Sequence, residues 1–343
     1  MPEVEVITAW VMLIALLAYT LLGGADFGGG VWDLFASGRT KERQRETVSD
    51  AIGPIWEANH VWLIVVVVLM FAGFPRAFSA MMTALHVPVT LMLIGIVLRG
   101  SAFAFRAYDP SAKSRGRWGR VFSVSSLVTP LLLGVSLAGI VAGNLEWNDE
   151  GAYVSGFIMA WLTPFHWAVG VFTLVIFAYL AAVYLCVATR GDRELNDAFR
   201  GRAIAAGIAL APAALATYLT APESASHFVD RFAGSWWTWP LQIGTGLMAA
   251  GGLVALFTRR FRIARVLVAG QVTFIVLGFG AAQYPMLVAP GFTIENSSAN
   301  SQIHVLLLGA LGAGSLVLLP SLALLYRVFK GGVLVRADGS ASG

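Results

Sequence analysis

The side chains with the most chemical potential in this 343-residue chain are the few polar ones set inside long apolar runs. One run reads Ile52-Gly53-Pro54-Ile55-Trp56-Glu57-Ala58-Asn59-His60-Val61-Trp62-Leu63-Ile64. Taken as a single helix from about Val48, it puts Glu57 roughly 14 Å and His60 roughly 18 Å along the axis, and residues three apart share a face. If that helix crosses a bilayer, both fall near the midplane, where an unpaired charge costs about 2.5–3.5 kcal/mol. A carboxylic acid and an imidazole there can act as a proton relay. With Asn59 they can equally form a hydrogen-bonded knot that locks helices. The relay reading is favoured for Glu57 and the structural one for His60.

Asp26 stands about 20 residues into the first run, in Gly23-Gly24-Ala25-Asp26-Phe27-Gly28-Gly29-Gly30. It is roughly 30 Å from the start of that run. It reads as a proton-accessible carboxylate, as an anchor for a neighbouring helix, or as an interfacial acid among lipid headgroups. Gly24 and Gly28 form a small-residue face that lets a helix approach closely. His60 and His86 lie on consecutive runs at nearly coincident depths, roughly 18 and 12 Å from opposite faces. They are therefore a candidate axial pair for a heme, against the ordinary reading of hydrogen-bonded structural histidines. His166 lies near one end of the fifth run, and His227 and His304 are expected at the water boundary. Arg99, with Arg106 beyond it, is expected to snorkel to headgroups or to pair with a carboxylate or heme propionate of a partner. Trp56, Asn59, Trp62, Arg99, Gly24 and Gly28 are read as structural or partner-contact residues. Glu295 and Asn296 are read as loop residues, and no metal site is expected.

The elements that must hold these residues follow from hydropathy. Only 12% of the residues are charged, against roughly 25% in soluble domains, and 57% are hydrophobic. That excludes a soluble globular domain, a disordered chain and a nucleic-acid binder. A spanning helix needs about 20 mostly apolar residues. Nine segments qualify, near 6–35, 48–71, 78–99, 121–143, 159–188, 203–220, 241–257, 266–288 and 303–329. Of the 23 basic residues, only Arg76 and Arg231 avoid one alternating set of connections and the tail. The other connections hold the acids Glu146, Asp149 and Glu150 and the tryptophans Trp236, Trp237 and Trp239. By the positive-inside rule the N-terminus is outside and the C-terminus cytoplasmic. The expectation is an all-α, polytopic nine-helix bundle over residues 1–330, with a disordered cytoplasmic tail at 331–343. Met1 to Glu5 hold two acids and no Lys or Arg, so the first run is expected to stay as a helix rather than act as a signal peptide. The single cysteine, Cys186, excludes an intrachain disulfide, an iron–sulfur cluster and a c-type heme in this chain.

These motifs resemble subunit II of the cytochrome bd quinol oxidases, over nearly the whole chain. The run from Gly24 to Gly30 is similar to that family's aspartate-and-glycine stretch, and 52–64 is similar to its most specific motif, Pro-x-Trp-Asp-Gly-Asn-x-Val-Trp-Leu. Phe74-Pro75, Leu98-Arg99, Pro130 with Gly134 and Asn144, Thr163-Pro164-Phe165, Tyr284-Pro285 and Thr293 to Asn296 also fit. The resemblance implies a heme-bearing subunit I carrying hemes b and d and the quinol-oxidising loop. It implies a complex of the bacterial cytoplasmic (inner) membrane that oxidises membrane quinol and reduces O2 to water with cytoplasmic protons. This chain would bind no heme itself, would contact lipid, and would supply part of the proton path through Glu57. Asp26 and His60 are added to that path from this sequence alone, His60 standing where the family is usually polar but not usually His. A structural quinone and a small single-helix subunit are further partners such a complex admits. Two departures stand out: the motif's Asp-Gly is Glu57-Ala58, and one of the two acids of the first stretch is missing. A proton-coupled secondary transporter and a purely structural scaffold subunit are the rival readings.

Overall fold

In the computed structural model the described residues are 3–330 apart from 54, 110, 149–152 and 159. Pro54, Asp149, Glu150 and the tail 331–343 thus lie outside them. The helices are α1 Val4–Leu34, α2 Lys41–Ile52, α3 Trp56–Gly73, α4 Pro75–Ala84, α5 His86–Tyr108, α6 Ala112–Val141 and α7 Pro164–Ala188. They continue with α8 Arg193–Leu219, α9 Ser226–Gly234, α10 Thr238–Phe257, α11 Phe261–Gln283, α12 Ile294–Ser297 and α13 Ser301–Lys330. Strands β1 Met286–Val288 and β2 Phe292–Thr293 pair as a small antiparallel hairpin. Among the described residues nine helices are long and apolar enough to cross a membrane: α1, α3, α5, α6, α7, α8, α10, α11 and α13. The chain is a multi-pass membrane protein. Its connections after α1, α5, α7 and α10 carry the basic residues, and that end of the bundle is called the basic end below.

Helix α1 is central and packs on α3, α6, α7 and α11. Its small-residue face is what allows this. A Cβ on Gly24 would sit 2.6 Å from the ring of Phe177 on α7, and one on Gly28 would collide with the Phe177 carbonyl. Trp32 closes the same seam, donating its Nε1–H to the Ala178 carbonyl at 2.7 Å. The Gly24/Gly28 face therefore serves a neighbour within the chain. The core around these helices is aromatic: Tyr19, Phe27, Phe122, Phe177, Tyr179 and Phe199 are all fully buried. By contrast α13 touches α1 and α3, yet none of its most apolar window is buried.

Two expected spans are broken, and both breaks move site residues. The run 48–71 divides into α2 and α3, with Gly53 to Ile55 between them. The Gly53-Pro54 pair accounts for the stop, because proline lacks the donor a helix interior needs and disfavours helix in the residue before it. The run 78–99 divides at Leu85, and α5 restarts at His86, which places Pro88 in the first turn, where its missing N–H costs nothing. Helix α5 then continues nine residues beyond Arg99. Residues 286–288, expected at the end of the eighth span, instead form β1. Helices α6 and α8 start earlier than expected, so Lys113, Arg115, Arg117 and Arg120, and likewise Arg193, Arg200 and Arg202, stand on first helical turns rather than in loops.

Candidate functional site

The first break overturns the depth expected for Glu57 and His60. Helix α3 begins at Trp56, so Glu57 is in its first turn and His60 only about 6 Å along it. Neither is near the middle of the span. Glu57 is exposed on the chain's outer surface. Ile64, Val67, Val68 and Phe71 continue that exposed stripe along α3. Asn59 points the opposite way and is buried.

The residues that do converge are Asp26, Asn59 and Arg99. Asp26 lies about 12 Å before the C-terminus of α1 and is 4% exposed. This excludes the reading of an interfacial acid among headgroups. Asn59 donates its Nδ2–H to Asp26 Oδ2 at 2.7 Å. Arg99 is 1% exposed, in the interior of α5 rather than snorkelling from its end. The cause is the later start and later end of that helix. Its Nε donates to Ser126 Oγ on α6 at 3.2 Å. Its guanidinium lies 4.6 Å from the Phe27 ring centroid and 5.4 Å from that of Phe122. Arg99, Asp26 and the buried Tyr19 lie within electrostatic reach of one another. A buried charge is costly unless paired and hydrogen-bonded. These four helices therefore bring a carboxylate and a guanidinium together in a buried setting.

His60 borders this group. Its Nδ1–H donates to the Trp56 carbonyl at 2.8 Å, and its ring lies 5.6 to 6.0 Å from those of Phe27, Tyr19 and Trp56. His60 Nε2 is buried without a hydrogen bond, as is Trp62 Nε1. Trp56 packs on Phe103 and Trp62 on the central core. His86 is not brought to His60. It starts α5 at the opposite end of the bundle, bonded to the Thr83 carbonyl and set against Phe157. The candidate heme pair is thus separated by nearly the length of a span, because both helix starts differ from the expected ones. His304, expected at the water boundary, is fully buried between Thr8 and Ser298. His166 is buried beside Thr163, which precedes α7. Glu295 and Asn296 belong to α12, where Thr293 and Asn296 form a reciprocal capping box.

Sequence reasoning missed Tyr19, Ser126 and a second buried carboxylate. Asp33 is 1% exposed; Arg106 donates to its Oδ1 at 3.0 Å and Ser123 to its Oδ2 at 2.7 Å. The sequence signal was present. Asp33 is seven residues from Asp26, and Arg106 seven from Arg99, which places each pair on one helix face.

The sequence matches the family described as Cytochrome bd terminal oxidase subunit II over residues 4–329. The chain belongs to that family. A cytochrome bd ubiquinol oxidase subunit 2 of Bacillus subtilis is 32% identical over 154 residues, 43% of this chain and 45% of that one. The cytochrome bd-I ubiquinol oxidase subunit 2 of Escherichia coli is 27% identical over 190 residues, covering 54% and 50%. These matches span about half the length of those curated relatives. A putative cytochrome bd menaquinol oxidase subunit II of Bacillus subtilis is 21% identical over 91% of both chains. The structure of bd oxidase from Geobacillus thermodenitrificans contains a chain with the same fold, at TM-score 0.79, 24% identity and 95% and 98% coverage. As a subunit II with nine candidate spans among the described residues, the protein is a multi-pass protein of the bacterial cytoplasmic membrane.

Proposed function

We propose that this subunit II pairs with a heme-bearing subunit I to form a quinol:O2 oxidoreductase of the respiratory chain. Hemes b and d belong to the partner, which oxidises membrane quinol and reduces O2 to water. The observation that carries this reading is the family match from residue 4 to 329. Residues 1–330 form one membrane domain, and the basic end faces the cytoplasm, as the distribution of Arg and Lys favours.

The chain's own part is to move protons from the basic end toward the partner. Glu57 supports this by its setting. A carboxylate on an otherwise apolar outward stripe of a spanning helix is costly against lipid, so that stripe is best covered by a partner subunit. Glu57 is then a carboxylic acid at the subunit boundary, within one helical turn of His60 and Asn59. Asp26 is the inner acid, held by Asn59. His60 keeps an unbonded Nε2 that can accept a proton while Nδ1 stays on Trp56. The residues Trp56, Trp62, Gly24 and Gly28 position these groups.

The test is purification from the native membrane followed by turnover of variants. A heme-rich partner of similar size should co-purify, and a colourless chain alone would end the oxidase reading. Glu57→Gln should lower quinol oxidation at unchanged heme content. Wild-type turnover in that variant would favour a subunit that only scaffolds its partner.

A further inference from the structure

The seam between α1, α5 and α6 holds an acid, an arginine and a serine at each of two levels, bonded differently: Arg106 and Ser123 both donate to Asp33, whereas Arg99 donates to Ser126. The inner tier is Asp26 on α1, Arg99 on α5 and Ser126 on α6. The outer tier is Asp33, Arg106 and Ser123 on the same three helices. Seven residues separate the acids and seven separate the arginines, about 10 Å along helices that run in parallel. The serines step back by three because α6 runs the other way. The hydroxyls continue inward: Ser123, Ser126 and Thr129 share a face of α6 and are all buried, and Thr129 Oγ1 makes no hydrogen bond. Gly30 stands between the tiers, where a Cβ would collide with the Ser126 side chain. The sequence thus lets the Ser126 side chain lie directly against the α1 backbone between the tiers.

The two tiers differ in their access to water. Asp33 is 2% exposed in its side chain, but its partner Arg106 is 22% exposed, on a long stem near the last turn of α5. Three groups face Asp33: Arg106 from α5, Ser123 from α6, and Arg45 from α2, whose Nε reaches the Asp33 carbonyl at 3.5 Å. Only the first two touch the carboxylate. A turn of the Arg106 side chain toward the basic end would uncover one carboxylate oxygen without moving a helix.

We infer that Asp33 is a proton-accepting residue that feeds Asp26, with Arg106 as its gate and the α6 hydroxyls as the bridge. This rests on the proton-moving role proposed above and adds a second mouth to it, away from Glu57. The transfer balances simply. With Arg106 turned aside, Asp33 takes one proton from water at the basic end and becomes a neutral acid. It passes one proton by way of the Ser123 hydroxyl, which touches it, the Ser126 hydroxyl, which must first turn from the Phe122 carbonyl it donates to at 2.7 Å, and bridging water to Asp26, and returns to the carboxylate that Arg106 holds. One positive charge moves inward and no electron is transferred.

The test uses the complete two-subunit oxidase, with turnover normalised to heme content and repeated in deuterated water. Asp33→Asn should slow turnover about tenfold at unchanged heme content and enlarge the solvent isotope effect. Asp33→Glu should restore the rate to within about twofold, which a purely steric role would not do. Asp26→Asn is measured alongside. Slow turnover in Asp26→Asn with a wild-type rate and isotope effect in Asp33→Asn overturns this inference alone. Wild-type behaviour in both, and in Glu57→Gln, ends the proton-moving reading itself. If Asp33→Asn does not assemble, Ser123→Ala decides. It removes the hydroxyl that is shared between Asp33 and the Gly119 carbonyl and no charge, and a wild-type rate and isotope effect in it would make the outer tier a structural lock.

Discussion

The bond between Asn59 and Asp26 is the contact on which the site depends, and its worth can be measured. Both side chains are buried, and the donor–acceptor distance is 2.7 Å, in the range of charge-assisted bonds. A hydrogen bond to a charged group contributes about 1.5–3 kcal/mol, and removing one partner exposes the other to its full desolvation cost. Asn59→Ala takes this one donor from Asp26 while Arg99 stays in reach. The expected loss is about 2–3 kcal/mol, a factor of about 30 to 150 in the folding equilibrium at 1.4 kcal/mol per tenfold. Asp26→Ala removes the acceptor and leaves Arg99 without its counter-charge. In the double variant the two losses should overlap, giving a coupling of about 1.5–3 kcal/mol. The assay is reversible unfolding of the purified protein in mixed micelles for the wild type, both single variants and the double variant. A coupling below about 0.5 kcal/mol, the level expected of independent sites, would refute the reasoning. The buried amide would then be held by packing, with no net contribution from the carboxylate.

Two further outcomes follow from the geometry. Gly28→Val should block the approach of α7 to α1, because any Cβ there meets the Phe177 carbonyl. Overpacking of this kind costs about 1–3 kcal/mol or more, and the yield of heme-containing complex from membranes should fall; a wild-type yield would refute the close approach. On α9, burial holds the His227 imidazole below its ordinary pKa of 6.5, and Arg231 acts in the same direction. The fold therefore favours neutral His227. Its stabilisation is present above the ordinary pKa and is lost as pH falls from there toward the folded value. The thermal midpoint should drop between pH 7 and 5, and His227→Gln should flatten that drop; an unchanged slope would assign the pH dependence to other groups.

The broken spans show where reading along the chain fails. Gly53-Pro54 and Pro88 were visible as helix punctuation, yet hydropathy alone carried each run through them. The price was a displacement of Glu57 from midplane to first turn, and of Arg99 from helix end to helix interior. Asp26 and Asn59 were both legible as costly polar residues, and the motif around Trp56 was enough to point to the family. Their mutual bond was not legible, because they stand 33 positions apart, with the whole of α2 between them. Asp33 was overlooked for a related reason: at the end of an apolar run it looks like an ordinary interfacial acid, and only α5 and α6 enclose it.

By itself the sequence determined the membrane class, the nine spans and the alternation of basic connections. It could do so because a bilayer acts on each segment separately, through length, hydropathy and local charge. Tertiary structure decided which of the few buried polar groups meet. That depends on where helices break, and on how closely α1 approaches α7 through Gly24 and Gly28. It depends also on whether α3, α5 and α6 then carry Asn59, Arg99 and Ser126 to one depth. Those are lateral relations between distant segments, and no local property of the chain encodes them.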